Sequence, residues 1–180
     1  DAALLIQAKI TFDLGQYEEC QKQLQQFTPE SAAGAEVLLL RGRLKLKADD
    51  FAGAREIFAQ AQDLSLRNGS LMRQAQYLQG LSLRKAGDLL AAELLFSRNR
   101  RSYLDTPEGM ASGLEEAEVQ HQLGNEIEAL AAYKRVLKQI AQTPSRLHPW
   151  VTDEELRQRL DATISEFLGE PPTLAILKHT

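Results

Sequence analysis

Residues 42–61, GRLKLKADDFAGAREIFAQA, constrain the fold more than any other stretch, because they have the spacing of two helices joined by a break. Gly42 lies midway along the first helical pattern, and residues 48–50 interrupt it. The second pattern has small and bulky residues four and three apart, namely Ala54, Phe58 and Ala61. These spacings place the side chains on one helix face. Small residues let a neighbouring helix approach closely and Phe58 fills the space beside them, so the stretch predicts a tightly packed helical hairpin with these residues buried.

Residues of the same types recur before and after this stretch at offsets of 34, 38 and 37 residues. The four sets are Ala8, Gly15, Cys20, Leu24 and Phe27; Gly42, Asp49, Ala54, Phe58 and Ala61; Gly80, Gly87, Ala92, Phe96 and Asn99; and Ala117, Gly124, Ala129, Tyr133 and Val136. Residues related by these offsets are called equivalent below. A period of this length fits one helix-turn-helix unit, which buries its apolar face only by stacking on its neighbours. The pattern therefore predicts a solenoid.

Turn and cap residues divide the chain at the same places. Inside the predicted hairpins, where one helix must end and the next begin, lie Gly15, residues 48–50, Gly87 and Gly124. Between the hairpins lie Thr28 with Pro29, Asn68 with Gly69, Thr106 with Pro107, and Thr143 with Pro144. A Thr cap followed by Pro is typical of a helix start, and Asn-Gly is a strong turn signal. Two independent signals thus give the same boundaries.

The spacing resembles that of the tetratricopeptide repeat family over about residues 2–144. The second copy carries the resemblance best, with Leu38, Gly42, Phe51, Ala54, Phe58 and Ala61, and the first adds Leu4, Ala8, Gly15, Tyr17 and Pro29. The later copies depart from the family pattern at Gln76, Asn99 and Gly113. The resemblance implies an all-α, right-handed superhelical solenoid in residues 1–145, made of about four repeats at 1–29, 30–68, 69–106 and 107–144.

Residues 146–180 do not continue the pattern. After His148, Pro149 and Trp150, residues 152–155 form a capping box that predicts a helix start. The apolar residues that follow recur at three-to-four spacing: Leu156, Leu160, Ile164, Phe167 and Leu168. We interpret this stretch as a C-terminal capping helix that covers the end of the solenoid. A short apolar tail at 174–177 follows two prolines.

Composition and motifs exclude several classes of function. The net charge of −4 and pI near 5.5 disfavour nucleic acid as a partner. The single cysteine, Cys20, and three scattered histidines indicate neither a disulfide nor a metal site, and no catalytic or cofactor motif is found. Acidic pairs such as Glu115 with Glu116 are interpreted as solvated surface charge. No apolar run is long enough for membrane insertion. A soluble protein is expected, in the cytoplasm rather than the periplasm, although the sequence does not fix the compartment.

The family resemblance implies that the first helix of each hairpin lines a concave groove that holds extended peptides or partner helices. The residues of these helices that project away from the packing positions are Lys9, Phe12, Arg43, Lys47, Tyr77, Arg84, Lys85, Glu118 and His121. The cations are expected to pair with acidic side chains or a terminal carboxylate of the partner, and Phe12 and Tyr77 to supply anchoring area. The predicted function is a non-enzymatic protein-protein interaction scaffold without cofactor or metal.

Two other functions stay open at this point. The apolar tail at 174–177, with Leu174, Ile176 and Leu177, suits self-association into a homo-oligomer, because an exposed apolar segment seeks burial. The chain also suits a recruiting segment of a larger multidomain protein. The identity of the partner does not follow from the sequence.

Overall fold

A computed structural model describes residues 2–28, 31, 33–142, 158 and 162. Within residues 2–142 every regular element that it describes is an α-helix. The helices are α1 (Ala2–Asp13), α2 (Tyr17–Gln25), α3 (Gly34–Lys47), α4 (Phe51–Leu64), α5 (Gly69–Lys85), α6 (Leu89–Ser102), α7 (Pro107–Gln122) and α8 (Glu126–Gln142). The all-α class predicted from the sequence is confirmed for this part of the chain.

Each helix packs against the next one in the chain, from α1 with α2 to α7 with α8. In addition, α5 contacts both α3 and α7, so odd-numbered helices are also neighbours. This sequential packing is consistent with stacked hairpins, in which every pair buries its apolar face against the pair before it and the pair after it. The right-handed superhelix and the count of four repeats remain predictions.

The equivalent small and bulky residues lie at the centres of the helix contacts. All sixteen that flank the turn positions are buried: Ala8, Cys20, Leu24, Phe27, Gly42, Ala54, Phe58, Ala61, Gly80, Ala92, Phe96, Asn99, Ala117, Ala129, Tyr133 and Val136. Gly42 lies against the ring of Phe58, and Gly80 lies against the ring of Phe96, so that a Cβ on either glycine would overlap the ring. The predicted burial of Gly42, Ala54, Phe58 and Ala61 is confirmed.

The turns inside the helix pairs share one backbone conformation. Their equivalent residues all have positive φ angles: 75° at Gly15, 56° at Asp49, 82° at Gly87 and 76° at Gly124. A left-handed residue of this kind ends a helix and redirects the chain, which confirms the predicted turn positions. The helices preceding these turns end at equivalent residues as well, namely Asp13, Lys47, Lys85 and Gln122.

Four of the helices have an N-cap residue whose side chain accepts a hydrogen bond from the first turn. Asp50, Asn68, Asp88 and Thr106 each accept a hydrogen bond from a backbone N–H three residues later, in the first turns of α4, α5, α6 and α7. These bonds satisfy donors that have no partner within the helix. The boundary predicted at Asn68 with Gly69 and the helix start predicted at Thr106 with Pro107 are therefore confirmed. The helix start predicted at Thr28 with Pro29 is wrong, because α3 begins only at Gly34. The boundary at Thr143 and Pro144, the capping helix with its capping box, and the apolar tail lie outside the described residues.

Candidate functional site

The predicted binding residues lie on the four odd-numbered helices. Lys9 and Phe12 are on α1, Arg43 and Lys47 on α3, Tyr77, Arg84 and Lys85 on α5, and Glu118 and His121 on α7. These helices are joined to one another directly: α5 contacts α3 and α7, and ion pairs connect α1 with α3. The candidate site is therefore the surface that α1, α3, α5 and α7 present together, which we call the odd-helix surface.

Ion pairs between α1 and α3 occupy two of the predicted cations. Lys9 pairs with Glu36, and the Arg43 guanidinium lies 3.8 Å from the Asp13 carboxylate. The same guanidinium sits 4.1 Å from the centre of the Phe12 ring, a cation–π geometry. Both groups of the Lys9 pair are more than a third exposed, so solvent screens their attraction. These cations already have acidic partners within the chain.

Arg43 is the more enclosed of these two cations. Burial lowers the pKa of its guanidinium, while the nearby carboxylate of Asp13 raises it. Because an arginine pKa starts far above neutral, the group stays charged. Its side chain is 28 % exposed, and its positions over Phe12 and beside Asp13 fix its direction. Arg43 therefore joins α1 to α3 rather than extending outward toward a partner.

Arg84 points between α5 and α7 instead of outward. Its Nε lies 2.8 Å from Glu115 Oε2, and the two side chains are 17 % and 1 % exposed. The contact is electrostatic rather than an aligned hydrogen bond. A second pair joins the same helices, between Arg73 Nε and Glu108 Oε2 at 3.3 Å. Arg84 was expected to pair with an acidic group of a binding partner. That expectation is corrected, because Glu115 of the same chain pairs with Arg84 between α5 and α7.

The interpretation of Glu115 and Glu116 as solvated surface charge is wrong. Both are buried on α7, and Glu116 accepts hydrogen bonds from the guanidinium of Arg100 on α6. Arg135 of α8 lies 3.8 Å from the same carboxylate. Adjacent residues on a helix point in different directions, so one acid faces α5 and the other faces α6 and α8. Helix α7 is thus held by charges on two sides.

Phe12 and Tyr77 are also corrected, because they are core residues and not exposed anchors. They are 5 % and 2 % exposed. The ring of Phe12 lies 5.4 Å from that of Tyr17, and the ring of Tyr77 lies 6.1 Å from that of Phe96, measured between centroids. Phe12 follows Ala8 by four residues and Tyr77 precedes Gly80 by three, so each shares the packing face of its helix. Spacing from the small residue would have identified both as core.

The two predicted residues of α7 make contacts within the last helix pair. The Tyr133 hydroxyl donates a hydrogen bond of 2.9 Å to Glu118, which joins α8 to α7. His121 Nδ1 lies 3.3 Å from Glu126 Oε2 across the turn between these helices. Both side chains are half-buried. They contribute to the last helix pair whether or not a partner is bound.

Lys47 and Lys85 are exposed like Lys9, but unlike Lys9 neither makes an ion pair within the described residues. They occupy equivalent positions, each as the last residue of its helix, on the neighbouring helices α3 and α5. A cation at this end of a helix is favoured by the helix dipole. The structure therefore places two exposed ammonium groups at equivalent ends of two neighbouring helices.

Sequence reasoning missed Glu36 and Glu108 and misassigned Glu115, which are the acidic residues that pair with cations of the odd-numbered helices. Their partners come from neighbouring helices 27 to 35 residues away, so no short motif marks them. A weak signal is present on α7, where residues 111–113 are all small, so that apolar packing alone would fill little space beside Glu115.

Comparison of the chain with protein-family models and with curated proteins gives no match. The tetratricopeptide resemblance therefore depends on residue spacing. Among the described residues, no cluster of three or more metal-binding side chains is present. Every helix in this part of the chain is too short or too polar to span a bilayer.

Proposed function

We propose that this protein is a non-enzymatic interaction module, built as a superhelix of tetratricopeptide-like hairpins, that binds an acidic peptide or partner helix on the odd-helix surface. The observation that supports this most directly is the pair of exposed ammonium groups, Lys47 and Lys85, at equivalent positions on α3 and α5. Side chains repeated at a fixed offset suit a ligand that crosses successive helices. Carboxylates of such a ligand would pair with both groups.

The other cations of the odd-helix surface are less suited to bind a ligand than Lys47 and Lys85. Lys9, Arg43 and Arg84 each have an acidic neighbour within the chain, so a ligand would have to displace Glu36, Asp13 or Glu115 to reach them. Displacement of Glu115 would leave a buried carboxylate uncompensated, which costs several kcal/mol. Lys47 and Lys85 require no such displacement. Acidic ligands are therefore expected beside the C-terminal ends of α3 and α5, where these two lysines lie.

Selection from a random peptide library followed by binding measurements tests the proposal. The selected peptides are expected to carry acidic residues, and K47E/K85E is expected to lower their affinity at least about tenfold, since two ion pairs become two repulsions. The matched control is K22E/K134E, which makes the same charge change on exposed lysines of α2 and α8. Added salt should weaken the wild-type interaction.

Two results would contradict the proposal. Selected peptides that lack acidic residues and bind K47E/K85E as well as the wild type would locate the site elsewhere. Equal losses in K47E/K85E and K22E/K134E would show a general effect of net charge. Circular dichroism of all three proteins checks that the helical content is unchanged.

A further inference from the structure

One face of α1 is apolar and exposed. Ile6, Ile10 and Leu14 are spaced four residues apart and are 58 %, 56 % and 67 % exposed. This spacing places them in one row along the helix. Ala3, near the start of the same row, is exposed too. A contiguous apolar row is unusual on a free surface and is typical of an interaction face.

Three of the four positions of this row are covered on the later odd-numbered helices, whereas the position of Leu14 is taken by the exposed Ala48 and Ala86 and the half-buried Leu123. Residues equivalent to Ala3, Ile6 and Ile10 are Val37, Leu40 and Leu44 on α3; Ala75, Leu78 and Ser82 on α5; and Ser112, Glu115 and Val119 on α7. Eight of these nine residues are buried, and Leu44 is half-buried. The same three positions are therefore covered on α3, α5 and α7 and open on α1.

In each case residues of the preceding helix pair provide the cover. Val37 and Leu40 belong to one apolar cluster with Leu5, Ala8 and Leu24 of α1 and α2. Ala75 and Leu78 share a cluster with residues of α3 and α4, and Val119 shares it with Ala92 and Phe96 of α6. On α7, Glu115 pairs with Arg84 of α5. This interface occurs three times in the described chain, always with the pair that comes directly before.

We infer that the exposed row on α1 is the docking face for a further helical hairpin joined to the N-terminal end of α1. Its residues match the face of α3 in type, because Ala3, Ile6 and Ile10 take the places of Val37, Leu40 and Leu44. The covering hairpin has the packing chemistry of α1 and α2, with small residues at the helix contact and bulky apolar residues beside them. This face is separate from Lys47 and Lys85, so the inference stands independently of the proposed ligand site.

The connections favour a hairpin from the same polypeptide over a second copy of the protein. The three covering pairs lead into the helix that they cover through short connectors, from Gln25 to Gly34, from Leu64 to Gly69 and from Ser102 to Pro107. A short connector holds the two partners at high effective concentration. It also makes each interface part of the folding unit, as in other stacked-repeat chains.

A tandem duplication tests this inference. Residues 1–35, which contain α1, α2 and the connector to α3, are fused to the N-terminus of the chain at residue 2, so that residue 2 takes the place of the equivalent Glu36 and the added hairpin leads into the original α1 as it normally leads into α3. Amide hydrogen exchange in the original α1 is expected to slow about tenfold or more, and the Tm to rise, because the open face gains its interface.

Charged substitutions in the original α1 provide the matched control. I6E/I10E should abolish both gains in the extended protein, yet it should leave the Tm of the unextended chain nearly unchanged, since both side chains are exposed there. Unchanged exchange in α1 after the extension would overturn the inference. So would sedimentation showing that the unextended chain forms a dimer that I6E/I10E dissociates, because the occupant would then be a second copy.

Discussion

At the scale of single residues, Gly42 sets the distance between α3 and α4. Two effects of G42A oppose each other: alanine favours a helix over glycine by about 0.5–1 kcal/mol, whereas overpacking a well-packed core costs about 1–3 kcal/mol. The added Cβ would overlap the Phe58 ring, and that ring is fully buried and has little room to move. We therefore expect G42A to lower the free energy of unfolding by about 1–2 kcal/mol, measured by urea denaturation.

A double-mutant cycle identifies the cause of that loss. F58L removes part of the ring, so G42A should cost less in the F58L background than in the wild type. G80A provides an independent copy of the experiment, because its Cβ would meet Phe96 in the same way. A stability increase in G42A would mean that helix propensity outweighs the contact.

Cys20 gives a second prediction for a single residue. Burial raises the pKa of its thiol above the reference value of 9.0, opposed by the charge of Arg43 and reinforced by that of Asp13. The folded state therefore prefers the protonated thiol, and its contribution to stability is present below the unfolded pKa and is lost as the pH rises through the folded pKa. The stability difference between wild type and C20A should shrink above about pH 9.

Urea denaturation of both proteins from pH 7 to pH 11 measures this difference and cancels the titration of lysines and tyrosines, which both chains share. Iodoacetamide should modify the folded wild type much more slowly than the unfolded chain, because the thiolate is both scarce and enclosed. A constant stability difference across this range would contradict the prediction.

At the scale of elements, the turn between α3 and α4 differs from its counterparts. Asp49 has φ of 56°, where the equivalent residues Gly15, Gly87 and Gly124 need no Cβ. A left-handed conformation costs an L-residue about 1–2 kcal/mol, and glycine avoids that cost. Glycine also loses more conformational entropy on folding, which cancels part of the gain. D49G should therefore stabilise the protein by up to about 1 kcal/mol.

The reverse change supplies the control. G87A should destabilise the protein by about 1 kcal/mol, since it introduces a Cβ at an exposed turn whose φ is 82°. Thermal unfolding of both variants measures the two shifts. Shifts of the same sign in D49G and G87A would show that backbone conformation does not control this turn.

Most helix boundaries were predictable from the sequence, although not the start of α3, because their causes are local. Gly15, Asn68 and Thr106 each act on their own turn, through a left-handed backbone or a side-chain cap. The burial of Phe58 and Ala61 was predictable because helical spacing alone places them on one face. Phe12 and Tyr77 were misassigned because the prediction allowed each helix too narrow a packing face, although each residue lies within one turn of a buried small residue.

At the scale of the whole molecule, the contacts between helix pairs could not be predicted in the same way. Glu115 meets Arg84 only because α7 docks beside α5, and nothing in the sequence near either residue specifies that direction. The candidate site shows the same limit. The sequence located the cations of the odd-numbered helices, but which of them are neutralised within the chain depends on acids contributed by adjacent helices, such as Glu36 and Asp13.

The buried pair of Arg84 and Glu115 yields the last prediction, on how the helix pairs are held together. Removing one member leaves the other charge buried, so E115A should lower the free energy of unfolding by about 3–5 kcal/mol. Replacing both members by apolar residues, in R84M/E115L, removes the uncompensated charge and should restore stability to within about 1 kcal/mol of the wild type. E36Q, in the exposed pair with Lys9, should cost less than about 1 kcal/mol. Urea denaturation of the four proteins measures these values. If E115A costs no more than E36Q, the contact between α5 and α7 is maintained by apolar packing, and the charges do not determine its stability.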